Sequence, residues 1–163
     1  MSWAAVVILS VVTAQRLAEL WLSNRNTKRL LEQGAIEAGR SHYALIVGLH
    51  AAWIAMLWWF APGQAISRTL LVLYVLLQFA RLWVIATLGP RWTTRIIVLP
   101  RAPLVCTGPY RFVDHPNYVI VTLEIAVLPL VFGLVEWALL FSLLNAAVLF
   151  VRIRTENQAL GRV

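Results

Sequence analysis

The sequence predicts an all-α, polytopic integral membrane protein of about five transmembrane helices, and three observations carry this. Of 163 residues, 61% are apolar and the mean hydropathy is +0.77, well above the ~45–50% apolar content of soluble domains. A soluble fold of this size leaves too much surface in water to hide so many Leu, Val, Ala and Trp side chains. The apolar residues also fall in runs that approach or reach the roughly 20 residues a bilayer-crossing helix needs. Finally, the cations of the net +7 chain cluster between alternate runs, as membrane topology requires.

Taken in order, residues 3–22 form the first span. It lacks a basic start and is interrupted by Gln15, Arg16 and Glu19, which sets it apart from a cleaved signal peptide. In the segment 23–42, Asn26 or Thr27 is expected to cap a short helix through Gln33 that Gly34 stops. Its Arg and Lys stems lie along the headgroups while Leu30 and Leu31 dip inward. Residues 43–61 make the second span, ended by Pro62-Gly63, and 69–88 the third, ended by Gly89-Pro90. From Tyr118 to Val151 the chain is apolar for long enough to cross twice, so spans at 118–133 and 136–152 form a helical hairpin turning near Gly133 and Glu136. The segment 89–117 is too long for a passive connector, and 153–163 follows the last span. All 163 residues form one domain.

Charge placement sets the expected orientation. Arg25, Lys28, Arg29 and Arg40 lie in one inter-span segment, Arg91, Arg95, Arg101 and Arg111 in another, and Arg152, Arg154 and Arg162 after the final span. Alternating spans put all three on one side, which the positive-inside rule makes cytosolic, with the N-terminus outside. This distribution reports orientation and attraction to anionic membrane lipid, and excludes nucleic acid as the partner. The single cysteine, Cys106, excludes an intrachain disulfide and a multi-thiolate metal site, and reads as a small packing residue.

Ionisable residues at membrane depth face the interior and pair. Arg16 and Glu19, three apart on one helix face, are expected to pair. Arg81 and Glu124 neutralise each other, or Arg16 or Glu19 shares their network, or one of them lines a ligand cavity, and on that last reading Glu124 binds substrate. His50 reads as a hydrogen-bonded interior histidine. Trp3, Trp21, Trp58, Trp59 and Trp137 fall near span ends, as an interfacial belt; Trp92, beside Arg91 and Arg95, is placed to cover a ligand.

Two polar clusters flank the hairpin. In Gly108–Tyr118, GPYRFVDHPNY, Gly108-Pro109 sets a turn and His115-Pro116 holds the backbone extended ahead of the next helix. In RIRTENQAL, Arg152 and Glu156 are four apart on one helix face, an arginine fork suited to a carboxylate beside an acceptor for hydroxyls or amines. Taken singly, each cluster fits a turn or a basic helix end. At one membrane face they point to a binding site.

These paired motifs, G-P-Y then H-P-N-Y and R-I-x-x-E-N-x-x-L, resemble the isoprenylcysteine carboxyl methyltransferase family. The likeness is close over the C-terminal third and rests on span pattern elsewhere. It implies an integral membrane enzyme without a Rossmann domain that uses S-adenosylmethionine as methyl donor and releases S-adenosylhomocysteine. By position, Leu104, Val105, Tyr110, His115, Pro116, Asn117, Tyr118 and Glu156 match the cofactor-binding residues, and Arg152 the arginine that contacts the acceptor. Asp114 replaces the usual arginine before His-Pro, and Asn157 replaces a second acid, which leaves the acceptor open. The segment ELWLSNRNTKRLLEQGAIEAGRSHY is similar to a bacterial branch, some of whose members methylate phenolic polyketide lipids, which implies the bacterial inner membrane.

The expected reaction is O-methylation of a lipophilic acceptor entering from the bilayer. A carboxylate needs only Arg152 to orient it; a phenol, titrating near 10, needs a base, for which His115 is best placed. The rival readings are a small transporter lined by Arg81 and Glu124, which fits poorly with repeat-built transporter designs, and a non-catalytic lipid-binding scaffold.

Overall fold

The computed structural model describes residues 3–161. The chain folds into five α-helices, α1 (Trp3–Glu32), α2 (Arg40–Phe60), α3 (Arg68–Leu88), α4 (Pro116–Val131) and α5 (Val135–Ala159). Four of these, α1, α2, α3 and α5, are long and apolar enough to cross a membrane, and the chain is an integral membrane protein. The expected fourth span is shorter: α4 has 16 residues, about 24 Å at ~1.5 Å per residue. Its bounds follow from the sequence. Pro116 occupies the first helical turn, where its missing N–H costs nothing. Gly133, at φ 70°, turns the chain into α5, as the hairpin reading requires.

The short helix is the interior one. Ile120, Val121, Glu124, Ile125, Val127, Leu128 and Val131 of α4 are all buried, because α3 packs along one side and α5 along another. The main apolar core gathers Leu9 of α1, Trp53 and Leu57 of α2, Tyr74 of α3, Ile125 and Leu128 of α4, and Phe141 of α5. The outward sides of the long helices stay apolar and exposed, as in Val72, Leu76 and Phe79 of α3 and Leu139 and Leu143 of α5. That is the pattern of helices solvated by lipid.

Three local expectations are corrected. Asn26 and Thr27 do not cap a second helix, because α1 continues unbroken to Glu32. Both side chains are buried, and Asn26 Nδ2 donates to the Trp92 carbonyl at 2.8 Å. Gly34 does stop the helix, at φ 86°; Leu30 turns inward as expected while Leu31 is exposed. Cys106 is exposed rather than packed. The tryptophan expectation divides: Trp3, Trp21 and Trp59 are largely exposed, whereas Trp137 packs on Phe60 with centroids 4.8 Å apart. His50 Nδ1 lies 2.9 Å from the Ile46 carbonyl, as an interior hydrogen-bonded histidine should.

A small antiparallel sheet pairs β1 (Ile36–Ala38) with β2 (Ile96–Val98), Glu37 standing opposite Ile97. It joins the segment after α1 to the segment after α3, and the Arg95–Glu37 ion pair at 2.6 Å closes its end. The loop then returns to α3 at Gly108, whose φ is +57° and whose absent Cβ would lie 2.5 Å from Thr87 Oγ1. Only glycine fits that approach.

Inside the bundle the four deep charges form one closed network. Arg81 Nε donates to Glu124 Oε1 at 2.8 Å and Arg81 also pairs with Glu124 Oε2. Arg16 reaches Glu19 at 2.9 Å and Glu124 at 2.7 Å, and Arg81 reaches Glu19 at 3.2 Å. Gln78 and Gln15 donate to Glu124 and Glu19, both at 2.9 Å. Two cations meet two anions, so the charge sums to zero and α1, α3 and α4 are tied together.

Candidate functional site

At the end of the bundle where α1, α3 and α5 finish and α4 begins, the segment 89–115 roofs a cavity of about 610 Å³. The sheet supplies one wall through β2. The start of α4 and the last turns of α5 supply the other, with Tyr118, Arg152 and Glu156 projecting inward.

The polar wall is a chain of hydrogen bonds. Arg152 Nη2 donates to the Thr94 carbonyl at 2.6 Å, and its Nε to the Tyr118 hydroxyl at 2.9 Å. Tyr118 in turn donates to Glu156 Oε2 in a short contact. The direction is forced, because a guanidinium has no acceptor and an ionised carboxylate has no donor. His115 Nδ1 lies 3.7 Å from that same Glu156 oxygen, and its Nε2 is 3.0 Å from Asn157 Oδ1. The His115 ring stacks on Tyr118 with centroids 5.3 Å apart. Among the described residues, Arg152 Nη1 and Glu156 Oε1 have no hydrogen-bond partner within the protein, so one donor and one acceptor remain for a ligand.

Thr94 anchors the chain from behind. Its N–H donates to Ser23 Oγ at 2.8 Å, and its hydroxyl lies 2.8 Å from Ser23 Oγ and 3.0 Å from Tyr43 Oη. Residues of α1, α2 and the loop thereby fix the carbonyl that holds Arg152. Arg95 lies over the Tyr43 ring at 4.1 Å, which packs the same corner. Opposite, burial pushes the Tyr110 phenol up from its usual range and the Glu156 carboxylate adds to the shift. Tyr110 therefore stays a neutral hydroxyl at physiological pH.

Of the residues singled out from the sequence, Leu104, Val105, Tyr110, His115, Asn117, Tyr118 and Glu156 all line this cavity, as do Arg152 and Trp92. Asp114 lines it too. Pro116 is buried and starts α4, so it shapes the wall from behind. Trp92 is buried against Val84 and Ile120, part of the roof's foundation. Glu124 is elsewhere: it is 1% exposed, and Arg16, Arg81 and Gln78 occupy both of its oxygens. The anchoring residues behind the wall, Thr94, Ser23 and Tyr43, were not singled out from the sequence. Each is a common residue type, and Ser23 and Tyr43 meet Thr94 across 71 and 51 positions of chain only in the folded state.

A membrane-embedded helical bundle with a roofed polar cavity at one end defines the class. The comparisons with known proteins give the family. Residues 70–162 match the model of the isoprenylcysteine carboxyl methyltransferase (ICMT) family, and the chain belongs to it, a family of membrane methyltransferases. It is 36% identical to the uncharacterized protein YpbQ of Bacillus subtilis (strain 168), covering 98% of this chain and 96% of the relative. It is 26% identical to an uncharacterized protein of Haemophilus influenzae, over 96% of this chain and 95% of that one. No solved structure matches the chain.

Proposed function

We propose that the protein is an S-adenosylmethionine-dependent methyltransferase that O-methylates a lipophilic acceptor where the cavity meets the membrane, on the cytosolic side of a bacterial inner membrane. The observation that carries this is the Arg152–Tyr118–Glu156–His115 chain lining one cavity and anchored from behind on the Thr94 carbonyl, in a member of a methyltransferase family. The cavity's size is in the range of small-molecule sites, about 300–1,000 Å³. Its lining offers what the methyl donor needs: Glu156 Oε1 for an amine or hydroxyls, neutral Tyr110 and Tyr118 rings for a sulfonium, and apolar Leu104 and Val105 for the rest. When bound, S-adenosylmethionine supplies an electrophilic methyl group and leaves as S-adenosylhomocysteine.

The protein's share of the reaction is positioning, which accounts for much of the acceleration in an in-line displacement. Arg152, held at Nε and Nη2, presents Nη1 in a fixed direction to an anionic acceptor oxygen. A carboxylate needs nothing more. A phenol must lose a proton, and His115 takes it, with Glu156 3.7 Å away to stabilise the imidazolium that results. The charge-balanced Arg16–Glu19–Arg81–Glu124 network supports this reading over a transport path, because each deep charge already has an oppositely charged neighbour.

Calorimetry on the purified protein in nanodiscs should register S-adenosylmethionine binding, weakened about tenfold or more by Glu156→Gln, the loss of one charged hydrogen bond. Labelled methyl transfer should be tried side by side on a prenylcysteine analogue and an alkylresorcinol, with His115→Ala included. A phenolic acceptor requires that variant to lose turnover, and a carboxylate acceptor requires it to keep most. Absence of donor binding, or wild-type turnover on both acceptors in Glu156→Gln, overturns the proposal.

A further inference from the structure

The last twelve residues of α1 present two unlike faces. Ser23, Asn26, Thr27 and Leu30 turn inward and are buried. Trp21, Asn24, Arg25, Lys28, Arg29 and Glu32 are exposed and line a shallow groove of about 420 Å³. Arg25 lies 5.8 Å from the Trp21 ring centroid, which holds the guanidinium at the edge of the groove. Among the described residues, Arg25, Lys28 and Arg29 have no carboxylate within ion-pair distance. Arg16, Arg81 and Arg95, by contrast, all have one. Three cations against one exposed Glu32 leave unspent positive charge on one helix face.

The groove continues an apolar lane. Val7, Val11, Ala14, Ala18 and Trp21 are all exposed, and their spacing of four and three residues stacks them along one side of α1. Arg25 and Lys28 extend the same spacing. One line on one helix therefore passes from aliphatic groups, through an indole, to cations. The cations stand about 6–12 Å beyond Trp21 at ~1.5 Å per residue, the depth at which lipid headgroups lie outside the hydrocarbon core.

We propose that this groove holds the headgroup of one anionic glycerophospholipid. The phosphodiester lies on Arg25, Lys28 and Arg29, Asn24 donates a further hydrogen bond, and an acyl chain runs along the Val7–Ala18 lane. The pairing of a small-residue lane with the cation triad is what distinguishes a lipid from a free anion. This site is separate from the cavity and does not depend on the methyl-transfer reading.

Native mass spectrometry of the full chain, released from mixed micelles of equal phosphatidylglycerol and phosphatidylcholine, tests it by counting retained lipids. Phosphatidylglycerol should be retained in clear excess, and Arg25→Gln/Lys28→Gln/Arg29→Gln should abolish that excess, at about fivefold per cation removed. Lys28→Glu alone should already lower it, and all these side chains are exposed, so folding should be unaffected; circular dichroism on each variant verifies this. The charge-matched control Arg40→Gln/Arg111→Gln/Arg154→Gln, at other exposed arginines, should retain lipid as the wild type does. Equal retention of both lipids, an equal loss in the control, or elimination of the preference by inorganic phosphate would each overturn the proposal.

Discussion

Tyr118 meets two obligations with one oxygen. Its oxygen accepts from Arg152 and donates to Glu156, so it fixes the relative positions of a cation and an anion that sit one helical turn apart on α5. Phenylalanine would preserve the ring that stacks on His115 and remove only the hydroxyl. Tyr118→Phe is therefore expected to leave the fold intact and to lower kcat/KM for methyl transfer about 10–100-fold, the equivalent of ~1.5–3 kcal/mol for hydrogen bonds to charged groups. Steady-state kinetics against a fixed acceptor checks this; an unchanged kcat/KM would mean that Arg152 and Glu156 hold their places unaided. The two departures from the family pattern also acquire locations. Asn157 hydrogen-bonds His115 Nε2, where an acid would have placed a negative charge, and Asp114 lines the cavity beside it. Tyr118, Arg152 and Glu156 were legible as motif residues, since helical spacing alone puts Arg152 and Glu156 on one face. Thr94, which holds Arg152 through a backbone carbonyl, was not legible, because any residue supplies a carbonyl and only its position matters.

At the scale of elements, the helices are held together by charge as much as by packing. In lipid there is no hydrophobic drive to bring apolar helices together, so polar contacts and close packing decide the arrangement. Glu124 on α4 meets Arg16 on α1 and both Arg81 and Gln78 on α3. Removing its charge leaves two buried guanidinium groups short of a partner. Glu124→Ala is expected to destabilise the bundle by roughly 3–5 kcal/mol, as breaking a buried ion pair does, read as a lowered thermal midpoint in detergent. If the loss were confined to methyl transfer with the midpoint unmoved, Glu124 would belong to the site after all. The sequence made Arg16–Glu19 and Arg81–Glu124 visible as candidate pairs and left open whether Arg16 or Glu19 joins the second, which the Arg16–Glu124 and Arg81–Glu19 contacts answer. Short-range spacing reveals pairs within one helix; contacts across 108 residues, as between Arg16 and Glu124, depend on which helices are neighbours. The sheet was missed for a related reason. Strands of three residues are too short to show a period of two, and β1 and β2 stand 60 positions apart.

At the scale of the whole molecule, orientation is the open quantity, and the chain carries its own probe. Cys106 is the only cysteine and is exposed on the loop that roofs the cavity. With the cation-rich end in the cytosol, a membrane-impermeant maleimide should label Cys106 in inside-out membrane vesicles and spare it in right-side-out ones. The reverse pattern would place the cavity on the outer face and contradict the positive-inside reading. The sequence by itself determined the membrane class, the approximate helix positions, the hairpin and many of the polar side chains that line the cavity. These are written in hydropathy, glycine and proline placement, and helical spacing, all of which act over a few turns of chain. Tertiary structure alone decided that α1 continues past the membrane, that α4 is short and central, that four charges close into one network, and that Thr94 positions Arg152. Each of those depends on partners far apart in sequence, and the energy that selects them exists only once the helices are side by side.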